Sequence, residues 1–187
     1  MKNTSYLSII LFFCLGFFQN CTTPEQKTPQ NSPFYVDDAS HLYFKNMRAF
    51  YYDQKPSPQA NTDLFQFQKI KTNPKTPSII PVIVDRWIND EAYLFLETND
   101  FEEGFSQPLQ FRWISEKDTL SLKMNSRLPT DQFTFAQEVE KLLAANHDLW
   151  VETAKGDWRP IFKAPKEKIY FQITLKDYYR LIQWSSK

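Results

Sequence analysis

Two hydrophobic periods divide this chain and restrict what it can fold into. In Leu109-Gln110-Phe111-Arg112-Trp113, and again in Leu120-Ser121-Leu122-Lys123-Met124, apolar and polar residues alternate strictly. Successive side chains on a strand point to opposite faces, so each run reads as a strand with one face in the core. The polar stretch Ser115 to Asp118 between them makes the pair a hairpin. From Thr130 to Asn146 the period lengthens. Phe135, Ala136, Val139, Leu142 and Leu143 recur at helical spacing, with Pro129 before the start and Asn146-His147-Asp148 as the stop.

The remaining segments follow the same logic. Ile79 to Ile88 and Ala92 to Glu97 are apolar runs joined by the polar turn Asn89-Asp90-Glu91, a second hairpin. Leu149 to Thr153 and Trp158 to Phe162 form a third around Lys155-Gly156-Asp157, and Pro160 sends its second strand to an edge. Upstream, Leu64 to Gln68 reads as a strand, with loops at Pro56-Ser57-Pro58 and between Pro74 and Pro77. Residues 42–52 are rich in aromatics, which favours a strand. A helix with Tyr43, Met47, Phe50 and Tyr51 on one face is the competing reading. The last segment opens with Pro165, suited to a first helical turn, and Phe171, Leu175, Tyr178, Tyr179 and Ile182 share a helix face. Alternation over Ile169 to Leu175 leaves a strand followed by a helix from Thr174 as the other possibility. The expected fold is α+β: one domain over residues 34–187, mainly an antiparallel sheet of hairpins with about two helices packed on one face.

The N-terminus has a different character. Met1-Lys2-Asn3 precedes an apolar run from Tyr6 to Phe18. That run is short of the roughly 20 residues needed to span a bilayer but suits the apolar region of a signal peptide. No small-residue cleavage pattern follows, since the first alanine beyond the run is Ala39. Phe18-Gln19-Asn20-Cys21 stands there instead, and it resembles the lipobox of bacterial lipoproteins. The resemblance implies a signal peptide over residues 1–20, a diacylglycerol and an acyl chain such as palmitate on Cys21, and membrane attachment through that lipid. Thr22 after the cysteine implies the outer membrane by the same resemblance. Residues 21–33 then form the lipidated cysteine and a polar, proline-rich tether. Leu42-Tyr43-Phe44-Lys45-Asn46 and Asp177-Tyr178-Tyr179-Arg180-Leu181 also resemble segments of short, uncharacterised envelope lipoproteins of Gram-negative bacteria. That resemblance carries no activity with it.

Composition removes several function classes. The chain has 22 basic and 22 acidic residues, so it offers no excess of cations for the phosphates of a nucleic acid. Its two cysteines are Cys14 in the apolar run and Cys21, which leaves the domain without a thiol nucleophile or a cysteine-based metal site. Of three glycines, only Gly104 and Gly156 lie in the domain, too few for a glycine-rich phosphate loop. No cofactor is called for.

Candidate sites are few. His147 sits where a helix C-terminus is expected, and a cation there is favoured by the helix dipole. His41 neighbours Ser40 and Asp38, but triad members meet through the fold rather than through local adjacency, and no G-x-S-x-G elbow supports a hydrolase. The stretch Glu97-Thr98-Asn99-Asp100-Phe101-Glu102-Glu103-Gly104 supplies carboxylates (Glu97, Asp100, Glu102 and Glu103) in a spacing unlike an EF-hand loop. A glycosidase pair could be drawn from it. Among five tryptophans, Trp87 and Trp158 are the picks for an exposed binding patch, because each adjoins an arginine, Arg86 and Arg159, and a turn. The expectation is a non-catalytic, lipid-anchored envelope protein that binds or supports another envelope component. The alternatives are a polymer hydrolase using the acidic loop and a sugar- or peptide-binding module built on aromatics.

Overall fold

The computed structural model describes residues 32–57, 61–114, 119–124 and 126–185. The stretches expected above to be signal peptide, lipidated Cys21 and most of the tether lie outside these residues, as do Pro58 and residues 115–118. The described residues form eight strands: β1 (Tyr52–Ser57), β2 (Thr62–Phe67), β3 (Ile79–Arg86), β4 (Glu91–Thr98), β5 (Gln110–Ile114), β6 (Thr119–Lys123), β7 (Asp148–Glu152) and β8 (Trp158–Ile161). Among the described residues three α-helices accompany them: α1 (Asp38–Tyr43), α2 (Pro129–Ala144) and α3 (Pro165–Leu181). The α+β expectation holds.

The hairpins divide between two antiparallel sheets, in the orders β1-β2-β3-β4 and β6-β5-β7-β8. In the second sheet β5 pairs with both β6 and β7, and β8 with its Pro160 is at the edge, as expected. Helices α2 and α3 lie side by side, α2 against β4 and α3 against β3 and β4. They also meet the second sheet. Phe135 of α2 packs on Phe111 of β5 with ring centroids 4.8 Å apart, and Phe171 of α3 packs on Phe162 after β8 at 5.2 Å. One continuous core therefore draws on both sheets and both helices, from Phe34 to Ile182.

With glycine so scarce, left-handed backbone positions fall to other residues. Asn146 and Gln183 adopt φ of 58° and 51° directly after α2 and α3. At each end two amide N–H groups fold back on the last turn, His147 N to Leu142 O (3.1 Å) and Trp184 N to Tyr179 O (2.7 Å) among them. This is the double-bonded stop that absorbs the orphan carbonyls of a helix.

Two expectations need correction, and one open alternative closes. Residues 42–52 are not a strand. They continue α1 through a π-helical turn (Phe44–Arg48) and a 3₁₀ turn (Ala49–Tyr51), and only Tyr52 begins β1. The inward face at i, i+3, i+4, i+7 is His41, Phe44, Lys45 and Arg48, of which only Phe44 is apolar, so a search for apolar periodicity finds the wrong side. Pro56 and Ser57 belong to β1 rather than to a loop, since β1 is an edge strand where a missing N–H costs no ladder bond. Residues 165–181 are helical throughout, which removes the strand alternative for 169–175.

Helix α1 is held at its start by Asp37, whose Oδ1 accepts the Ser40 N–H at 2.6 Å. That bond, the largest influence, holds the Asp37 carboxyl below its usual range against the opposing effect of burial. A carboxyl depressed in the folded state stabilises above the unfolded value and loses this contribution as pH falls through the folded one. Asp37→Ala is expected to lower stability by about 1 kcal/mol at pH 7. The gap in urea midpoint between wild type and variant should shrink as pH drops below about 4. A gap unchanged at pH 3 would assign the loss to something other than the charged cap.

Candidate binding groove

The register of the first sheet sorts its side chains into two faces. Phe65 opposes Ile83, and Ile83 opposes Leu94, on the face that packs against the helices. Leu64 opposes Val84 one step along, so Leu64, Val84 and Phe95 project to the other side. There they floor a cavity of about 630 Å³, within the roughly 300–1,000 Å³ usual for ligand sites. Its walls come from the segments that lead into and out of the second sheet, through Gln107, Pro108 and Leu109 and through Met124, Ser126 and Arg127. The Gln107–Pro108 peptide is cis.

Strand β4 borders the groove as a sheet edge, and that edge is closed. Phe34 O accepts the Ala92 N–H (3.0 Å), Tyr178 Oη donates to Ala92 O (3.1 Å), and Gln132 Oε1 accepts the Leu96 N–H (2.7 Å). Ladder groups that would otherwise recruit a foreign strand are thus occupied along this stretch. Recognition in the groove therefore falls to side chains. Ser126 Oγ is engaged with Asp131 and with the Leu128 N–H. Arg127 is exposed and has no ion pair among the described residues, and the same holds for Glu97 at the rim. The groove thus combines an apolar floor with one available guanidinium and one available carboxylate.

Two polar clusters elsewhere have their charges satisfied internally. Asp177, buried on α3, accepts from Arg48 Nε and Nη2 at 2.8 Å each and from Tyr52 Oη at 2.7 Å. Burial first, and the Asp177 charge second, push the Tyr52 hydroxyl well above its usual value. Buried Asp85 pairs with His41 Nε2 at 2.8 Å and with Lys45 Nζ at 3.2 Å, and Lys45 also reaches Asp63 at 3.1 Å. His41 therefore engages Asp85 of β3, not Asp38. Ser40 Oγ accepts from Gln183 Nε2, so the local Ser-His-Asp neighbours form no triad.

The sites expected from sequence are dispersed by the fold. Trp87 is 50% exposed on the turn after β3, while Arg86 beside it is held by Glu91 (3.3 Å) and the Tyr93 hydroxyl (3.2 Å). Trp158 lies on the other sheet, half-buried beneath the Arg112 guanidinium at 4.4 Å from its ring centroid. Arg159 points the opposite way from its neighbour on the strand and forms a two-point pair with Glu103 at 2.8 and 2.9 Å. That pair, chiefly through its hydrogen bonds, holds the Glu103 carboxyl below its usual range. Asp100 and Glu102 are exposed, and of the acidic stretch's carboxylates only Glu97 lines the groove. Among the described residues no group of three or more His, Cys, Asp or Glu side chains is placed to hold a metal ion.

Sequence reading missed Leu64, Val84, Phe95 and Arg127 as groove residues. Alternation marked Leu64 and Phe95 as strand positions, but which strands lie beside which linkers is a tertiary fact. Comparison with protein-family models, with curated proteins and with solved structures finds no match for this chain. Its function is read from its own chemistry.

Proposed function

We propose that this protein is a lipid-anchored, non-catalytic module of the bacterial cell envelope that holds a short apolar segment of an envelope partner in the groove. The anchor is the acylated Cys21 that the lipobox resemblance implies, on the outer membrane by the same resemblance. The observation that carries the binding reading is the groove itself: an apolar floor of Leu64, Val84 and Phe95, with Arg127 and Glu97 at its rim and without an ion pair among the described residues. Such a lining gains from burying apolar surface, and its two charges fix orientation. Hydrolysis by the acidic stretch needs two carboxyl groups roughly 5–10 Å apart across a substrate, and that stretch sends Glu97 alone to the groove.

A photoreactive residue installed at Arg127 in living cells tests this reading. It is expected to yield one dominant adduct by mass spectrometry, and the same residue at the exposed Lys155 is expected to yield none. An identical adduct from both positions, or none above background from Arg127, would overturn the groove as the binding site.

A further inference from the structure

Five of the nine large apolar side chains exposed among the described residues fall within ten positions of one another: Leu42, Tyr43, Met47, Phe50 and Tyr51. Leu42, Met47 and Phe50 are more than half exposed, at 62%, 53% and 59%. They recur at helical spacing along α1 and the turns that continue it, on the side opposite His41, Phe44, Lys45 and Arg48. An apolar stripe of this kind normally faces a core. Here the other side is pinned inward by the His41–Asp85 hydrogen bond and by ion pairs of Lys45 to Asp85 and of Arg48 to Asp177. Rolling the stripe inward would break all three, so its exposure is built into the fold.

The flanks of the stripe are amphipathic. Arg180 lies 5.3 Å from the Tyr43 ring centroid and donates to its hydroxyl at 2.9 Å, and Arg48 lies 4.8 Å from the Tyr51 ring centroid. Tyrosine rings and arginine stems carry an apolar body with a polar tip, the combination that suits the boundary between lipid headgroups and acyl chains. Position points the same way. Residues 34–36 are stitched to the β3–β4 turn by Ala92 N to Phe34 O (3.0 Å) and Val36 N to Asp90 O (2.9 Å), and α1 follows at once. The 31 residues preceding Ser32 therefore join the fold at this helix. From Cys21 to Ser32 the chain can reach at most roughly 40 Å.

We propose that the outward face of residues 42–51 docks on the lipid bilayer, seating Leu42, Met47 and Phe50 at the level where headgroups meet acyl chains. The placement of this face near a membrane rests on the acyl anchor proposed above, whereas its chemistry does not. The groove remains available, because its lining comes from other elements. Lipid anchor and apolar face together would give two points of attachment and hence a fixed orientation of the domain, where one tethered point gives none.

The test uses residues 32–187, which contain the whole core cluster from Phe34 onward and carry no acyl chain. This fragment is expected to co-sediment with vesicles of phosphatidylethanolamine and phosphatidylglycerol. The Met47→Ser/Phe50→Ser variant, with an unchanged circular dichroism spectrum, is expected to partition about tenfold less or weaker still. Equal partition of fragment and variant, or no binding of the fragment, overturns the proposal. A concentration-dependent dimer that the variant loses, without vesicle binding, overturns it in favour of a second copy of this chain. Palmitate labelling of full-length wild type against Cys21→Ala reads the anchor separately. Vesicle binding without labelling removes the anchor and keeps the face, and labelling without vesicle binding does the reverse.

Discussion

Replacing Asp177 by alanine is expected to lower stability by about 3–5 kcal/mol, because it leaves a partly buried cation without its counterion. The Arg48 guanidinium loses both of its 2.8 Å acceptors, and the Tyr52 hydroxyl, on a residue only 3% exposed, loses its own. At roughly 2–4 °C per kcal/mol for a domain of this size, the melting temperature should fall by about 6–20 °C. The cost lies less in the bonds themselves than in stranding their partners away from water. Two further variants separate these contributions. Asp177→Asn keeps the shape and one acceptor and should lose less. Adding Arg48→Met to Asp177→Ala removes the stranded charge and should recover part of the loss. Urea denaturation at pH 7 measures all three. A loss under about 1 kcal/mol for Asp177→Ala would mark the network as an ordinary surface pair.

Phe171→Ala is expected to cost a similar amount, about 3–5 kcal/mol, through lost burial and an incompletely collapsed cavity. Phe171 has no exposed surface, and it joins α3 to the second sheet through Phe162. Phe162 itself sits at φ 54°, a left-handed backbone that costs a non-glycine residue about 1–2 kcal/mol. Burial of its ring against Phe171 offsets that strain. Removing Phe171 should therefore loosen β8 and the chain after it first, visible as faster amide exchange over residues 158–164 than over β3 and β4. Phe50→Ala makes the contrast. Its side chain is mostly exposed, and its substitution should move stability by no more than about 0.5 kcal/mol. A Phe171→Ala loss under about 1.5 kcal/mol would show that the second sheet does not depend on this contact.

These two sites show what kind of information the chain carries along its length. The 109–124 alternation, the 130–146 helix and the hairpin turn near Asp90 follow from local rules, because the period of apolar residues reports which side of an element meets a core. Residues 42–51 obey the same periodicity and mislead, since their apolar stripe faces outward. The inward side of that helix is anchored by Lys45, His41 and Arg48 to Asp63, Asp85 and Asp177, partners 18, 44 and 129 residues away. No window of sequence holds both halves of such a pair. The same limit explains the candidate sites. Arg159 beside Trp158 looked like one patch, yet neighbours on a strand point to opposite faces, and Glu103 claims the arginine.

By itself, then, the sequence determined the α+β class, the positions of most strands, the 130–146 helix with its stop, a helical face in the last segment, and the edge place of Pro160. It did so because propensity, periodicity and turn chemistry act over a few residues. The tertiary structure alone decided that the hairpins form two sheets rather than one, that a groove opens where the linkers of the second sheet cross the outer face of the first, and that the apolar side of α1 is turned away from the core. Each of those depends on which distant surfaces bury best against each other, a sum over the whole core that no local pattern encodes.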